Sequence, residues 1–181
     1  MRLFTKTCLF LFGLGLLLAS CSSGDETVDV SGIDVNVRVR RVDQEMRDFQ
    51  RPVDVLSFMD ANPELAKSYF GRGQMPDSVL ANRILEFVTY EFNDTLFMDI
   101  DKAFGDFSAV EAQFKDAFKY LKYYYPNQKI PTIYTVATGF GNFGFGSNPP
   151  ELFFGSGFIV VSLDFFCGAK ATYKPSPQQV P

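Results

Sequence analysis

The sequence contains no histidine and no tryptophan. Without an imidazole, the chain given cannot supply a Ser-His-Asp triad, a Cys-His pair, an HExxH zinc site or a two-histidine iron site. Paired carboxylates could still act as acid and base, but nothing in the sequence singles out two of its 21 acidic residues for that work. We therefore predict no catalytic residues, no cofactor and no metal site.

Cysteines are few, and basic residues are outnumbered by acidic ones. Cys8, Cys21 and Cys167 are the only cysteines, and the first two lie within or directly after an apolar leader, so no disulfide framework is predicted. Cys167 is interpreted as a small buried hydrophobe. The formal net charge is −4, with 17 basic against 21 acidic residues, which argues against a nucleic-acid partner because counterion release needs a basic surface.

The first twenty residues have the layout of a secretory signal peptide. Arg2 and Lys6 precede an apolar run from Cys8 to Leu18, which is too short to span a bilayer. The run leads into Leu18-Ala19-Ser20-Cys21, a pattern typical of a bacterial lipobox, in which the cysteine thiol receives a diacylglycerol and becomes the first residue of the mature chain. We predict that residues 1–20 are removed and that Cys21 binds the membrane through its lipid. The alternative is an ordinary signal peptide with a cysteine near its cleavage site.

Residues 21–32 are small and acidic and are predicted to be a flexible tether, and residues 33–181 are predicted to form a single domain. Apolar and polar residues alternate from Ile33 to Arg40, which predicts a strand with one wet face. Arginines of this strand and of the residues after it form a basic cluster, which either meets anionic lipid headgroups or lipopolysaccharide or simply forms the solvated face of the strand. This basic cluster consists of Arg38, Arg40, Arg41, Arg47 and Arg51.

Residues 43–126 show helical periodicity in about four pieces. Asn62 and Asp94 are predicted N-caps, and Ser108 with Glu111 is a predicted capping box. The helices are predicted to end at Gly71, Gly105 and Pro126. The predicted core-packing stripes are Leu80, Ile84 and Phe87; Phe97, Ile100 and Phe104; and Val110, Phe114, Ala117, Phe118, Leu121 and Tyr125.

Strand patterns return after Pro126. Residues 130–138 are β-branched and aromatic, and residues 158–166 alternate as a half-buried strand would, with Val160, Ser162 and Asp164 on the wet face. The fold class is therefore α+β: an N-terminal strand, a helical middle, and a C-terminal antiparallel strand pair joined by a loop rich in Phe, Gly and Pro. Within that loop, the rings among the glycines either fold into the core or form a partner surface. They are Phe140, Phe143 and Phe145.

Two short motifs in this chain do not carry the chemistry that their spacing suggests. Residues 139–144, GFGNFG, match the spacing of a dinucleotide-binding fingerprint, but Asn148-Pro149-Pro150 lies where the phosphate-binding helix should begin. Residues 99–106 resemble a calcium loop, but Phe104 stands where glycine is needed. Neither motif therefore predicts a ligand site.

Several segments together resemble the GldB family of gliding-motility lipoproteins from Bacteroidetes. They are the lipobox, VNVRVRRVD, KYLKYYYPNQKIPTIYTVATGF and FIVVSLDFFCGAKATYKP. The resemblance implies a cell-envelope lipoprotein, associated with the type IX secretion and motility machinery and anchored at the outer membrane, and it supplies no catalytic residues. Family members continue beyond the point corresponding to Pro181. The chain is therefore expected to be a truncated member in which Ile159 and Val161 lack their cover.

Three functions are compatible with the sequence. The first is a lipid-anchored envelope protein of the gliding-motility and type IX secretion type that acts through contacts with other envelope proteins. The second is an enzyme or enzyme remnant, with a metallopeptidase-like scaffold whose active site lies in the missing C-terminal part. The third is a carrier for a small apolar ligand bound in an aromatic pocket.

Overall fold

The computed structural model describes residues 28–141 and 151–175. Cys21, Phe143 and Phe145 lie outside these residues. The chain divides into two units, Met1–Gly32 and Ile33–Pro181. In the first unit the described residues form a turn, in which the amide of Ser31 donates to the carboxylate of Asp29 at 2.9 Å. All strands and helices given below belong to the second unit.

The second unit has the predicted α+β class, with an N-terminal strand, a helical middle and a C-terminal antiparallel strand pair. Four of its helices have ten residues or more, in agreement with the sequence, and two are shorter. In chain order the elements are β1 (Arg38–Arg41), α1 (Val42–Glu45), α2 (Pro52–Ala61), α3 (Pro63–Ser68), α4 (Asp77–Thr89), α5 (Asn93–Phe104), α6 (Ser108–Tyr124), β2 (Thr132–Val136), β3 (Leu152–Gly155) and β4 (Phe158–Ser162), with 3₁₀ turns at Met46–Asp48 and Leu163–Phe166.

The four strands form one sheet in the order β1-β2-β4-β3. β1, β2 and β4 are parallel, and β3 pairs antiparallel with β4. The antiparallel pair is joined by the tight turn at Ser156-Gly157, whereas the segment rich in Phe, Gly and Pro precedes the pair and leads from β2 to β3. β2 and β4 are the two strands that the sequence pattern after Pro126 predicts. They are neighbours in the sheet, and they pair in parallel.

β4 is not the half-buried strand that its alternation predicts. It ends at Ser162, and the residues assigned to its wet face, Val160, Ser162 and Asp164, are at most 1% exposed. The reason is its place in the sheet, because an interior strand with parallel pairing is covered on both faces. Val161 is buried as well and Ile159 is half-buried, so the expectation that both lack cover is wrong for Val161.

β1 is shorter than predicted, although the predicted alternation of burial is real. Val35 and Val37 are buried and their neighbours are exposed, but ladder pairing with β2 begins only at Arg38, opposite Thr132. The alternating burial therefore begins in the segment before the strand and continues into the strand.

Two predicted helix caps lie at other positions, and the third, Asn62, is the N-cap as predicted but forms no side-chain cap bond. Ser108 is the first residue of α6, and the N-cap is Phe107, which has a left-handed φ of 69° and no side-chain cap bond. Asn62 does precede α3, but its side chain turns elsewhere: it donates to the carbonyl of Phe58 at 2.7 Å and accepts from Arg40. Asp94 lies in the first turn of α5 and not at the cap.

The predicted helix ends and two of the three stripes agree with the structure. Gly71 and Gly105 have positive φ just beyond α3 and α5, as left-handed terminators do. α4 buries Leu80 and Ile84, and α5 buries Phe97 and Ile100. The stripe of α6 is only partly correct, because Phe118 is its one fully buried member and Ala117 and Tyr125 are exposed.

The two faces of the sheet are covered by different parts of the chain. On one face, Tyr134 lies beneath the guanidinium of Arg40, which also lies over the ring of Phe58 from α2. On the other face, the hydroxyl of Thr135 bonds the buried carboxylate of Asp43 in α1. Helices therefore pack on both faces of the parallel strands.

Candidate functional site

The carboxyl ends of β2 and β4 lie side by side, and polar residues follow both strands. Val136 is the register partner of Ser162, so Thr138 and Phe140, which follow β2, come close to Asp164, which follows β4. This edge of a parallel sheet is where α/β proteins usually place their ligands. We refer to Thr138, Phe140, Ser162 and Asp164 as the carboxyl-end cluster.

The carboxylate of Asp164 is the centre of this cluster. One of its oxygens accepts the amide of Thr138 at 3.2 Å, and the other accepts the hydroxyl of Thr138 at 3.0 Å and the amide of Phe140 at 2.6 Å. Asp164 is only 1% exposed, and this burial raises the pKa of its carboxyl group, against the opposing effect of the three donors. The carboxylate thereby joins the end of β4 to the segment that leaves β2.

The segment that receives Asp164 has an unusual backbone. Gly139, Phe140 and Gly141 have φ angles of 61°, 57° and 82°, so three successive residues lie in the left-handed region. A side chain in that region costs about 1–2 kcal/mol, which Phe140 offsets through its bond to Asp164 and an edge-to-face contact with the ring of Phe165 at 5.7 Å. Asp164 therefore holds the chain in a path that it would otherwise rarely adopt.

Ser162 links the cluster to the helical layer. Its hydroxyl is 3.2 Å from the hydroxyl of Tyr69, which follows α3. Burial raises the pKa of Tyr69 above its ordinary value, so the phenol stays protonated at neutral pH and cannot act as a base toward Ser162. This pair fastens the sheet to α3 and does not form an activated nucleophile.

Cys167 lies one turn beyond Asp164. Its thiol is half-buried and lies 3.5 Å from the carbonyl of Leu163. Burial raises the pKa of the Cys167 thiol to about 12, so the reactive thiolate is not populated at neutral pH. The residue thus behaves much as predicted, although it is half-buried and not fully buried.

The predicted partner surface is described only at its first residue. Phe140 is half-buried and packs on the core through Phe165, so its ring is not freely presented. Phe143 and Phe145 lie outside the described residues, as does the predicted lipidation site, Cys21. Among these four residues, the structure therefore gives a position for Phe140 alone.

Most of the basic cluster is engaged in ion pairs within the domain. Arg41 is the least exposed of the paired members, and its Nε and Nη2 groups donate to the carboxylate of Asp43, at 2.9 and 2.8 Å. The remaining pairs are Arg40 with Glu45, Arg47 with Asp101, and Arg51 with Asp54, at 2.6 to 2.9 Å. These pairs account for four of the five arginines, and headgroup binding and a solvated strand face both stay predictions.

β3 is an edge strand with an open side. The amide of Ser162 donates to the carbonyl of Glu151, so in the alternating antiparallel pattern Phe153 and Gly155 also bond β4, while the main-chain groups of Leu152 and Phe154 point away from it. The side chains of these two residues are exposed, Phe154 by 71%. Among residues 28–141 and 151–175, no partner bonds the outward main-chain groups of Leu152 and Phe154, which lie next to a large exposed ring.

The described residues hold no cluster of metal ligands, and the depression beside Arg47 is polar. Within residues 28–141 and 151–175, no group of three or more Cys, Asp or Glu residues could hold a metal ion. A shallow depression of about 660 Å³ is polar and is crossed by the pair of Arg47 with Asp101. Over the same part of the chain, no helix combines the length and hydropathy needed to span a bilayer.

Two residues of this region, Asp164 and Phe154, are not recognisable from the sequence pattern. The alternation places Asp164 on a wet strand face, although one signal points elsewhere: it is the single acid in the apolar run from Phe158 to Phe166. An acid in such a context is buried only when donors surround it, and Thr138 and Phe140 supply them from another strand. The exposure of Phe154 depends on the strand order, which single-sequence patterns do not give.

Comparison with known proteins gives one match. The sequence model of the family described as gliding motility protein GldB matches residues 23–181, which is most of the chain. Searches of curated proteins and of solved structures found no match. The match covers the strand segments on either side of the helical middle that carry the resemblance, and the lipobox at residues 18–21 lies before the matched residues. The chain therefore belongs to the GldB family of gliding-motility lipoproteins.

Proposed function

We propose that this GldB-family protein is anchored at the outer membrane by a lipid on Cys21 and acts through contacts with other envelope proteins of the motility and type IX secretion machinery. The anchor is supported by the Leu18-Ala19-Ser20-Cys21 sequence after a leader of the right charge and length. Family membership supports the setting.

The open edge of β3 carries the proposal of contact with proteins. An extended partner segment added to this edge would bond the outward main-chain groups of Leu152 and Phe154 and pack against their side chains. The strand is short, with four residues, but it contains no charged residue, proline or bulge of the kind that protects an edge from pairing. An edge left open in this way is suited to strand addition.

We propose the aromatic residues of the preceding segment as further contacts to the partner. Phe143 and Phe145 precede β3 in the chain, within the segment that leads from β2 to β3. Phe140 begins the segment, and its backbone is fixed by Asp164. We assign to Phe140 the role of holding the base of the surface, and to Phe143 and Phe145 that of contacting the partner.

Co-purification from gliding cells tests the proposal. Phe154→Ser removes the exposed ring, and Leu152→Pro removes an outward N–H without breaking a bond to β4. Both changes, and Phe143→Ser with Phe145→Ser, are expected to reduce recovery of partner proteins at least tenfold while the thermal unfolding midpoint stays within a few degrees. Met98→Ser is the matched control, since Met98 is 66% exposed on α5. Equal recovery with all of these variants would reject the surface.

A further inference from the structure

The carboxyl end of α6 concentrates exposed tyrosines in a segment without acids. From Ala117 to Pro150 the sequence contains no Asp or Glu, although the whole chain carries a net charge of −4. Within this stretch, three lysines and four tyrosines occur between residues 119 and 129. We define the tyrosine end of α6 as Tyr120, Tyr123, Tyr124 and Tyr125.

Packing of the domain does not account for these rings. The four tyrosines are 39% to 65% exposed, and the exposure rises toward Tyr125. The rings of Tyr123 and Tyr124 contact each other edge to face, with 5.0 Å between centroids. The core contacts of α6 come from the buried Phe118 and the half-buried Phe114 and Leu121. Tyr125 continues their stripe, but it lies just past the last helical residue and is 65% exposed. Single exposed aromatics are ordinary, but four within six residues concentrate exposed aromatic area at one end of the helix.

The charges beside the tyrosine end are cationic. Lys119 is neutralised by Asp116 at 2.8 Å. Lys122 donates to the carbonyl of Pro126 at 3.1 Å, beyond the end of the helix, and Lys129 is exposed. Within the described residues, neither Lys122 nor Lys129 forms an ion pair with an acid. Two lysines without an acidic partner among these residues therefore accompany the tyrosines in the chain, Lys122 among them and Lys129 after Tyr125.

We propose that the tyrosine end of α6, with Lys122 and Lys129, docks on an anionic phospholipid surface. A tyrosine ring has an apolar body and a polar hydroxyl, which suits it to the boundary between acyl chains and headgroups. Lysine side chains extend along such a boundary and place their ammonium groups among phosphates. The combination of amphipathic rings, cations and no acids is complementary to phospholipid in both polarity and charge.

The lipid anchor of the proposed function keeps the domain close to the bilayer. The inference rests on that proposed anchor, because the docking contact is weak without it. Residues 21–32 form the predicted tether, which can extend to at most about 40 Å. A tether of that length holds the domain at a high effective concentration near the bilayer. A weak surface contact of four rings and two lysines is then sufficient to orient the domain.

The absence of tryptophan from the chain provides a direct test. Tyr124→Trp introduces a single fluorescent reporter into the surface while keeping an interfacial aromatic. The acylated full-length mature chain is reconstituted into vesicles of phosphatidylethanolamine and phosphatidylglycerol, with or without brominated acyl chains. We expect the indole emission of the Tyr124→Trp chain to shift to the blue and to fall at least twofold with bromolipid. Val53→Trp, on an exposed position of α2, is the matched control and is expected to show neither change.

The lysines are tested in the Tyr124→Trp chain. Changing both Lys122→Gln and Lys129→Gln is expected to shift the docking equilibrium about tenfold or more toward the undocked state, since each lysine near an anionic surface contributes about fivefold. Vesicles of phosphatidylcholine alone are expected to give the same loss. Quenching that is equal in both vesicle types and unaffected by the lysine changes would overturn the charge complementarity.

The outcomes separate this inference from the proposed function. If the Tyr124→Trp chain floats with the vesicles but its emission is no more quenched than that of the Val53→Trp chain, the anchor holds and the docking is overturned. A chain that does not float fails the proposed anchor instead. In that case the soluble Tyr124→Trp chain is titrated with the same anionic vesicles to millimolar accessible lipid, about the effective concentration that a short tether provides, and an unchanged emission spectrum at that concentration overturns the docking independently.

Discussion

The carboxylate of Asp164 accepts three donors in a site closed to solvent. Asp164→Ala removes both acceptor oxygens at once, and with them the bonds to the amide and hydroxyl of the buried Thr138 and to the amide of Phe140. Because an unsatisfied buried donor costs about 1–3 kcal/mol, we expect the free energy of unfolding to fall by about 2–3 kcal/mol in a urea titration. Asp116→Ala is the control, since Asp116 is an exposed acid on α6, and it is expected to change stability by less than about 0.5 kcal/mol.

The pH dependence of stability gives a second measurement on the same pair of chains. Burial raises the pKa of Asp164 in the folded protein above the ordinary carboxyl value of about 3.9. Between these two values the folded state holds the proton more tightly than the unfolded state, so this group makes the free energy of unfolding decrease as pH rises through that window. Asp164→Ala should lack this contribution, while Asp116→Ala should keep it. Identical pH profiles for the two variants would contradict the assignment.

The hairpin of β3 and β4 depends on Gly155, the last residue before its turn. A Cβ on Gly155 would lie within van der Waals overlap of the ring of Phe158, which is itself buried between the rings of Tyr134 and Phe153. Gly155→Ala therefore forces the ring to move, and we expect a loss of about 1–3 kcal/mol by thermal or urea unfolding. Gly32→Ala is the control because a Cβ there meets nothing within 4 Å. Equal stability of the two variants would show that Phe158 moves freely.

Elements whose signals are local could be predicted from the sequence. α4 and α5 bury the stripes that their 3.6-residue period indicates, and Gly71 and Gly105 end helices because glycine adopts positive φ without a steric cost. The capping box at Ser108 failed for a tertiary reason. Phe107 is almost completely buried beneath the guanidinium of Arg41, and its position fixes the entry to α6.

Features that depend on which strands become neighbours could not be predicted from the sequence. The sequence of β4 alternates between apolar and polar residues, but this does not indicate a wet face. β4 lies inside the sheet, between β2 and β3, and the side chains on both of its faces are covered. The wet-face prediction for Asp164 is wrong for the same reason, since its donors come from residues 26 and 24 positions earlier in the chain. The open edge of β3 also follows from the strand order, so the part of the candidate site that carries the proposed function was beyond single-sequence patterns.

For the whole molecule, local ion pairing limits what the basic residues can contact. Four arginines near β1 are each paired with an acid of the same domain, so they add little free positive charge to the surface; they are Arg40, Arg41, Arg47 and Arg51. Lys122 and Lys129, which pair with no acid among residues 28–141 and 151–175, lie instead beside exposed tyrosines. The arginines near β1 therefore form ion pairs that stabilise the domain, whereas the two lysines near the tyrosine end of α6 are suited to docking.

The attachment of the whole molecule to the membrane is tested at Cys21. In cells fed an alkyne fatty acid, we expect the unchanged chain to incorporate label and Cys21→Ser to incorporate none, because the lipobox thiol is the predicted acylation site. Cys167→Ser is the matched control: burial raises the pKa of this thiol to about 12, which makes it a poor nucleophile, so its loss should leave labelling unchanged. Equal labelling of Cys21→Ser and the unchanged chain would refute the anchor. Loss of label in Cys167→Ser would instead place the lipid on the domain itself, where it could not act as the end of a tether.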